Sequence, residues 1–569
     1  MISSLPPGSI ILVGAVVLAS LQGKWLKVVS VGLPIASFIH LLACHPNGHL
    51  VSSQLFDMEL TPVRVDKLSL VWGCVFHIAA ILAAIYGMHV RDRTHHLCAA
   101  AYVGSAIGAV FAGDLLSLFI YWEITAIASM FLVWADQSKK SFGAGMRYAV
   151  MHIGSGVLVL SGALLLFVER GTLSFGAADQ IGMFHELSTW GEKILLLGFG
   201  IKAAFPLVHA WLPDAYAKAT PAGTVFLSAF TTKMAIYALA RGYAGTELLI
   251  TVGAIMCVFP LVHAMLANDL RQTLAHVLNN QLGFMIVAVG VGTPLAISGA
   301  AAMAFAHVIY KGLLFMAIGA VLTRTGTANQ TELGGLFTKM RWTAIFCLIG
   351  AFSVAPLNCG FVTKSLVFSA VAHEHLDFVW LLLVIGAVGA FVAAGIKVPF
   401  FAFFGQSEPS HQVEEAPVHM LVAMGISAAL CLAIGLFPQV LYRILPFDVD
   451  YQPYTLSHIV QQLQMLGFAS LGFALLLQFG LYPRPAEGEL LDVDWVYRKP
   501  TQWLRGMVSR KNAAVGEPTP GAINIASKEW LMWMHHQCSE AGSLGRSVST
   551  NAMAISAMIL LAVYLLVYY

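Results

Sequence analysis

The sequence predicts an all-α polytopic membrane protein, and two observations carry that prediction. Apolar residues make up 58% of the 569 and charged residues 11%, against about 25% charged in ordinary soluble domains. The apolar excess is spread along the whole chain, in recurring stretches of roughly 18 or more residues, each long enough to cross about 30 Å of hydrocarbon. A single large soluble core would not be divided in this way.

Taken in order, roughly sixteen spans are expected, centred near residues 14, 35, 78, 105, 124, 157, 203, 231, 258, 282, 310, 352, 390, 428, 469 and 560. The opening run "MISSLPPGSIILVGAVVLAS" lacks a basic leader and reads as a first span rather than a cleaved signal. The ninth and tenth spans are parted by the short charged hinge "NDLRQ". From about Pro483 to Ser549 the chain turns polar and reads as a cytoplasmic tail, with a surface helix around "SKEWLMWMHHQ". The run "AMAISAMILLAVYLLVYY" is expected to be a terminal span. Short loops hold more basic residues on one side, among them Lys24, Lys27, Arg91, Arg93, Lys139, Lys140 and Arg147, which places the N-terminus outside a cell inner (plasma) membrane.

Several function classes are disfavoured at once. A net charge of +2 without a long basic run gives no case for nucleic acid. The eight cysteines are scattered without a C-x-x-C pair, so no metal site, iron–sulfur cluster or disulfide frame is expected. No G-x-G-x-x-G or P-loop is present, so no dinucleotide, ATP or other cofactor is expected. Without redox motifs the polypeptide is not expected to be an oxidoreductase by itself.

Ionisable residues inside the spans are the functional signal. Glu123 sits within "LFIYWEITAIASMF", nine residues after Asp114 and about a dozen before Asp136. A charge at the bilayer centre costs roughly 2.5 to 3.5 kcal/mol on insertion scales, so it has a task or a partner. Four further positions share the oddity: Lys202, Lys233, the pair His307 and Lys311, and Lys364. A lysine at a span end can instead snorkel to the interface, a reading that weakens when four spans carry one near mid-depth. Pro206 lies four residues after Lys202 and cannot donate to its carbonyl, so the helix should break beside the charge. Pro356, Asn358 and Gly360 interrupt the run before Lys364 in the same manner, five spans later. Paired broken helices at an odd offset are what inverted repeats around a transport site require. His307 and Lys311, four apart, share a helix face and read as relay members. His276, Asn279, Asn280 and Gln281 form a polar stripe that fits either a relay or interhelical hydrogen-bond glue.

At "HAWLPDAYAKATPAGTVFLSAFTTKMAIYALARGYAG" the sequence resembles the antiporter-like subunits shared by multisubunit Mrp Na+/H+ antiporters, respiratory complex I and membrane-bound hydrogenases. "WLPDAY", "ATPAGTVFLSA", "NDLRQTLA" with "QLGFM", "HVIYKGLLFMAIG" and "GFVTKS" match family motifs in order, and "LPFDVDYQPYTLSHIVQQLQMLGF" with "DVDWVYRKP" is most similar to the D-type subunit of Mrp antiporters. The resemblance implies about 14 to 16 transmembrane helices with two inverted five-helix repeats containing broken helices. The expected divisions are N-terminal helices (1–90), a first repeat (91–245), a second repeat (246–405) and C-terminal helices (406–482), followed by the polar tail (483–549) and the terminal helix (550–569), which exceed the family's core pattern. By motif match, Glu123 is the family's fifth-helix glutamate, Lys202 its seventh-helix lysine, Lys233 its eighth-helix lysine and Lys364 its twelfth-helix lysine. His307 and Lys311 fall in the eleventh-helix motif.

The mechanism expected from these residues is a switchable ion pair feeding a proton path. Burial favours the neutral form of acid and base alike, whereas an ion pair holds both charged. When Glu123 and Lys202 pair, Lys202 keeps its proton. When they part, the proton passes along Lys233, His307/Lys311 and Lys364 through internal water. The resemblance implies partners, namely other membrane subunits, protons, Na+ and the lipid bilayer. Three rival readings stand beside the antiporter: a proton-pumping module of a redox complex, an energy-coupling partner of an inorganic carbon uptake system, and a scaffold whose charges are structural.

Overall fold

The computed structural model describes residues 5–45, 48–55, 58–176, 181–405 and 413–483, together with 492, 493 and 495. The chain divides into two compact units, one of Met1–Leu18 and Gln22–Leu490, the other of Ala19–Leu21 and Leu491–Tyr569. The described residues fall almost entirely in the first unit. Apart from Pro483, Asp492, Val493 and Trp495, the expected polar tail lies outside them, as does the terminal span.

The chain runs through α1 (Ser9–Ser20) and α2 (Gly23–Cys44) into an antiparallel hairpin, β1 (Leu50–Leu55) and β2 (Met58–Arg64). It continues as α3 (Lys67–Tyr86), α4 (Arg93–Phe111), α5 (Leu115–Trp134) and α6 (Lys139–Arg170), then as the shorter α7 (Trp190–Lys202), α8 (Trp211–Lys218), α9 (Pro221–Ala229) and α10 (Thr231–Tyr243). Next come α11 (Glu247–Leu266), α12 (Leu270–Val291), α13 (Pro294–Thr325), α14 (Arg341–Ala351), α15 (Cys359–His373) and α16 (Asp377–Ala390). Two π-helical runs, Phe391–Lys397 and Phe400–Phe404, extend α16, and α17 (Val418–Leu436), α18 (Pro438–Tyr442) and α19 (Leu456–Gln478) follow. Eleven helical stretches among the described residues are long and apolar enough to cross a membrane, and shorter apolar helices lie between them. The protein is a multi-pass helical membrane protein. The hairpin is an addition to the expected helices: its Thr61 exchanges hydrogen bonds with the start of α5, donating N–H to Asp114 Oδ2 (2.9 Å) and accepting from Gly113 N (2.9 Å).

Two five-helix repeats are written in the helix ends. Asp114 caps α5 by accepting from Ser117 N, and Asp269, 155 positions later, caps α12 by accepting from Arg271 N and Gln272 N. Each aspartate also forms an isolated β-bridge, Asp114 with Ser174 and Asp269 with Asn329, again 155 apart. Ser138 and Thr293 start α6 and α13, while Gly171 (φ 69°) and Gly326 (φ 78°) end them in the left-handed conformation that glycine adopts without steric cost. Both helices are 32 residues long. A side-chain oxygen satisfies one or two of the orphan amides at each start, so the 155-residue register is visible in the caps.

The two expected helix breaks also match. After Pro206 and Pro356 the next residues, Leu207 (φ 74°) and Leu357 (φ 73°), adopt left-handed backbone that a branched side chain rarely takes. Breaking a helix frees carbonyls, and at membrane depth these need partners. Trp211 Nε1 donates to Ile201 O (3.0 Å) across the first break, and Asn358 Nδ2 to Ile349 O (2.9 Å) across the second. Burial then distinguishes the elements. The apolar windows of α12 and α13 are 94% buried, whereas those of α2 and α19 are 28% and 17% buried.

Candidate functional site

The first polar centre lies where α5, α6 and α7 meet. Trp122 Nε1 donates to Ser155 Oγ (3.0 Å), and Ser155 Oγ donates to Gly198 O (2.6 Å), stitching the three helices together. Lys202, the last residue of α7, is fully buried. Its ammonium donates to Trp122 O (2.6 Å) and Thr125 Oγ1 (2.9 Å) and lies 4.3 Å from the Trp122 ring centroid, a cation–π contact. Glu123 is the next residue along α5. One carboxylate oxygen falls inside the volume that a Cβ at residue 156 would fill, so only glycine at that position leaves room for it. That oxygen is buried without a hydrogen-bond partner. Glu123 and Lys202 lie within electrostatic reach of each other, yet no ion pair within 4.0 Å joins them. The expected pair is therefore present as neighbours, with the lysine held by a carbonyl, a hydroxyl and a ring instead of by the carboxylate.

The second centre collects the remaining bases. Lys233 is buried on α10, and its ammonium donates to Ser228 O (2.6 Å), a carbonyl left free where α9 gives way to α10. Lys233 and Lys364 both lie within electrostatic reach of His307 and Lys311 on α13. Lys364 belongs to α15, six residues inside the helix that follows the second break, and its ammonium sits 4.6 Å from the Phe284 ring centroid without a hydrogen-bond partner. Both ring nitrogens of buried His307 are likewise unpartnered. No acidic side chain is hydrogen-bonded to any of these four among the described residues. The polar stripe on α12 resolves into glue where it is hydrogen-bonded: Asn280 Nδ2 donates to the carbonyls of Cys257 on α11 and Gly386 on α16, Gln281 Nε2 donates to Asn280 Oδ1, and Tyr310 OH donates to Gln281 Oε1 (3.2 Å).

Sequence reasoning passed over several buried bases, His152 and Lys397 among them. His152 on α6 is fully buried with both ring nitrogens unpartnered, lies within electrostatic reach of Lys202, and sits tilted against Tyr148 with ring centroids 3.9 Å apart. It precedes His307 by 155 residues, the interval that separates the caps of α6 and α13, so the two histidines occupy equivalent positions. Gly156 then corresponds to Lys311: where the second repeat carries a lysine, the first carries the notch that admits Glu123. Lys397, within the π-helical run, donates to the carbonyls of Ala264, Met265 and Ala267 at 2.8–2.9 Å and closes the C-terminal end of α11. Aligning polar positions by the spacing of their caps would have found His152. Lys397 leaves no comparable signal, because its partners are backbone carbonyls.

Residues 112–392 match the family described as "NADH:quinone oxidoreductase/Mrp antiporter, TM". Hydrogenase-4 component B of Escherichia coli is 27% identical over 425 residues, covering 67% of this chain and 63% of that protein. The A-type subunit of the Na+/H+ antiporter of Bacillus subtilis is 32% identical over 384 residues, covering 60% of this chain and 47% of that protein. The chain thus spans about half to two thirds of these relatives' lengths. In fold it is similar to a chain of the Mrp complex from Dietzia sp. DQ12-45-1b, with a TM-score of 0.75 at 22% identity over 93% of this chain and 61% of that one. With its paired broken helices, 155-residue register and these matches, the chain belongs to the superfamily of antiporter-like membrane subunits of Mrp antiporters and NADH:quinone oxidoreductases.

Proposed function

We propose that this chain is the proton-translocating subunit of a multisubunit monovalent cation (Na+)/H+ antiporter, of the Mrp D type, with its N-terminus outside and its repeats spanning residues 91–245 and 246–405. One observation carries the reading: a carboxylate seated in a glycine notch, beside a lysine at a helix break, opens a series of buried bases to which no acid is hydrogen-bonded among the described residues. Buried cations without acidic partners are costly unless they shed and regain protons. Glu123 sets the proton occupancy of Lys202, and Lys233, His307, Lys311 and Lys364 pass the proton onward as a coupled set. Protein partners are other membrane subunits, in keeping with relatives named as components of larger complexes.

Similarity to hydrogenase-4 component B supports a second reading, in which the same path is driven by a redox module. The test uses everted vesicles carrying the assembled complex. Glu123→Gln and Lys202→Ala are expected to lower Na+-driven proton movement at least tenfold at unchanged complex abundance. Near-normal movement in both variants overturns the proposed path. Proton movement that answers to an electron donor and not to Na+ replaces the antiporter with the redox reading.

A further inference from the structure

Lys202 and Lys233 stand in separate centres. The hydrogen bonds of Lys202 end on α5, and that of Lys233 ends on its own segment at Ser228 O. What joins the two regions is a run of buried hydroxyls from four helices. Ser129 Oγ, one turn beyond Thr125 on α5, lies 2.8 Å from Tyr148 OH on α6. Tyr148 OH lies 3.3 Å from Thr231 Oγ1, at the start of α10, and Thr231 Oγ1 lies 2.5 Å from Tyr102 OH on α4. All four residues are fully buried. At the lysine end, Thr125 Oγ1 holds the Lys202 ammonium. At the other end, Thr231 stands two residues before Lys233. The His152 ring lies tilted against the Tyr148 ring midway.

A hydroxyl can accept a hydrogen bond and donate one at once, and a chain of them passes a proton without any member retaining charge. Amides such as Asn280 and Gln281 hold structure together but do not exchange protons in this way. We infer that Ser129, Tyr148, Thr231 and Tyr102 form the relay that carries protons between the Lys202 and Lys233 centres, a role that rests on the proton path proposed above. Lys202 gives up one proton through Thr125 and a water that bridges the helical turn to Ser129. Each hydroxyl takes a proton on its oxygen lone pair as it releases its own, and a water at the far end delivers one proton to the neutral amine of Lys233. One N–H bond breaks, one forms, and every hydroxyl ends neutral with its O–H reversed. Rotation of the O–H groups resets the run.

The experiment measures ion-driven proton movement per assembled complex in everted native vesicles, with complex abundance read on native gels. Tyr148→Phe removes only the phenolic oxygen, and Thr231→Val replaces the hydroxyl with a methyl of similar size. Each is expected to lower proton movement at least tenfold, whereas Thr231→Ser, which keeps the hydroxyl, stays within about twofold of the native chain. That split between Thr231→Ser and Thr231→Val separates proton passage from packing, since loss of the methyl is the larger packing change. If Lys202→Ala abolishes movement while Tyr148→Phe and Thr231→Val remain within twofold, the hydroxyl relay is overturned and the lysine path stands. If Lys202→Ala itself retains normal movement, the path beneath the relay is overturned with it.

Discussion

The two repeats share their frame and differ in what they place within it. α6 and α13 have the same length, equivalent caps and equivalent buried histidines, His152 and His307. Four residues further on, the first repeat has Gly156 with the Glu123 carboxylate lodged against it, and the second has Lys311. The same position is therefore acidic in one half and basic in the other. Burial differs as well: the apolar window of α6 is 39% buried and that of α13 is 94% buried. A helix with one face outward can host a site that answers to its surroundings, while a helix enclosed by α9, α12, α14, α15 and α17 is suited to a fixed internal array. Under the proposed proton path, equal frames with opposite charges assign the halves different steps.

The largest expected effect comes from closing the notch. In Gly156→Ala the new methyl takes the volume of the Glu123 carboxylate oxygen, so the carboxylate has to swing away while the fold around it remains. Proton movement should fall about as far as in Glu123→Gln, tenfold or more, with normal complex abundance. Combining the two substitutions should add nothing, because both remove the same placed carboxylate. A double variant markedly worse than either single would mean that Gly156 serves helix packing rather than Glu123.

The histidines sharpen the comparison at smaller scale. If both belong to one relay, His152→Gln and His307→Gln should each lower proton movement about threefold to tenfold, since internal water bridges part of the gap each leaves. Proton movement read at unchanged complex abundance is the discriminating measurement, because glutamine keeps hydrogen-bonding groups but cannot take up and release a proton. A loss confined to His307→Gln would restrict the relay role to the second repeat and leave His152 as a ring packed on Tyr148.

Much of this frame was legible in the sequence, for physical reasons that also mark where legibility stopped. Hydropathy over a bilayer thickness registered the spans: the expected centres near 203 and 352 fall on the broken pairs α7/α8 and α14/α15, and that near 390 on α16 with its π-helical extension. Proline chemistry registered both breaks. The hairpin at Leu50–Arg64 went unseen, being short and set between apolar stretches that dominate any window. Charged residues announced themselves by their cost in lipid, so Glu123, Lys202, Lys233, Lys311 and Lys364 could be named. Ser129, Tyr148 and Thr231 carry no such cost individually and are common inside transmembrane helices, and His152 was passed over although it is ionisable like His307. Their meaning lies in which helices bring them together, and no local pattern states that. The stripe of Asn280 and Gln281 shows the reverse case, a conspicuous polar run that geometry turns into helix glue.

The smallest expected effect tests the frame itself. Asp114 and Asp269 occupy equivalent caps, but their loads differ. Asp269 accepts from Arg271 N and Gln272 N, both in its own helix, and is partly open to solvent. Asp114 accepts from Ser117 N and Ser117 Oγ and also from Thr61 N in the hairpin, and it is fully buried. Replacing an N-cap aspartate by alanine costs about 1 kcal/mol. Leaving a sequestered amide unpaired adds about 1 kcal/mol or more. Asp269→Ala should therefore lower stability by about 1 kcal/mol and Asp114→Ala by about 2 kcal/mol, a difference that thermal unfolding of the detergent-solubilised complex can rank. Adding Thr61→Pro, which removes the hairpin amide, should bring no further loss in the Asp114→Ala background beyond what proline costs the strand. Equal costs for the two aspartates would mean that the hairpin does not brace the first repeat, and that its asymmetry begins at Glu123 rather than at the start of α5.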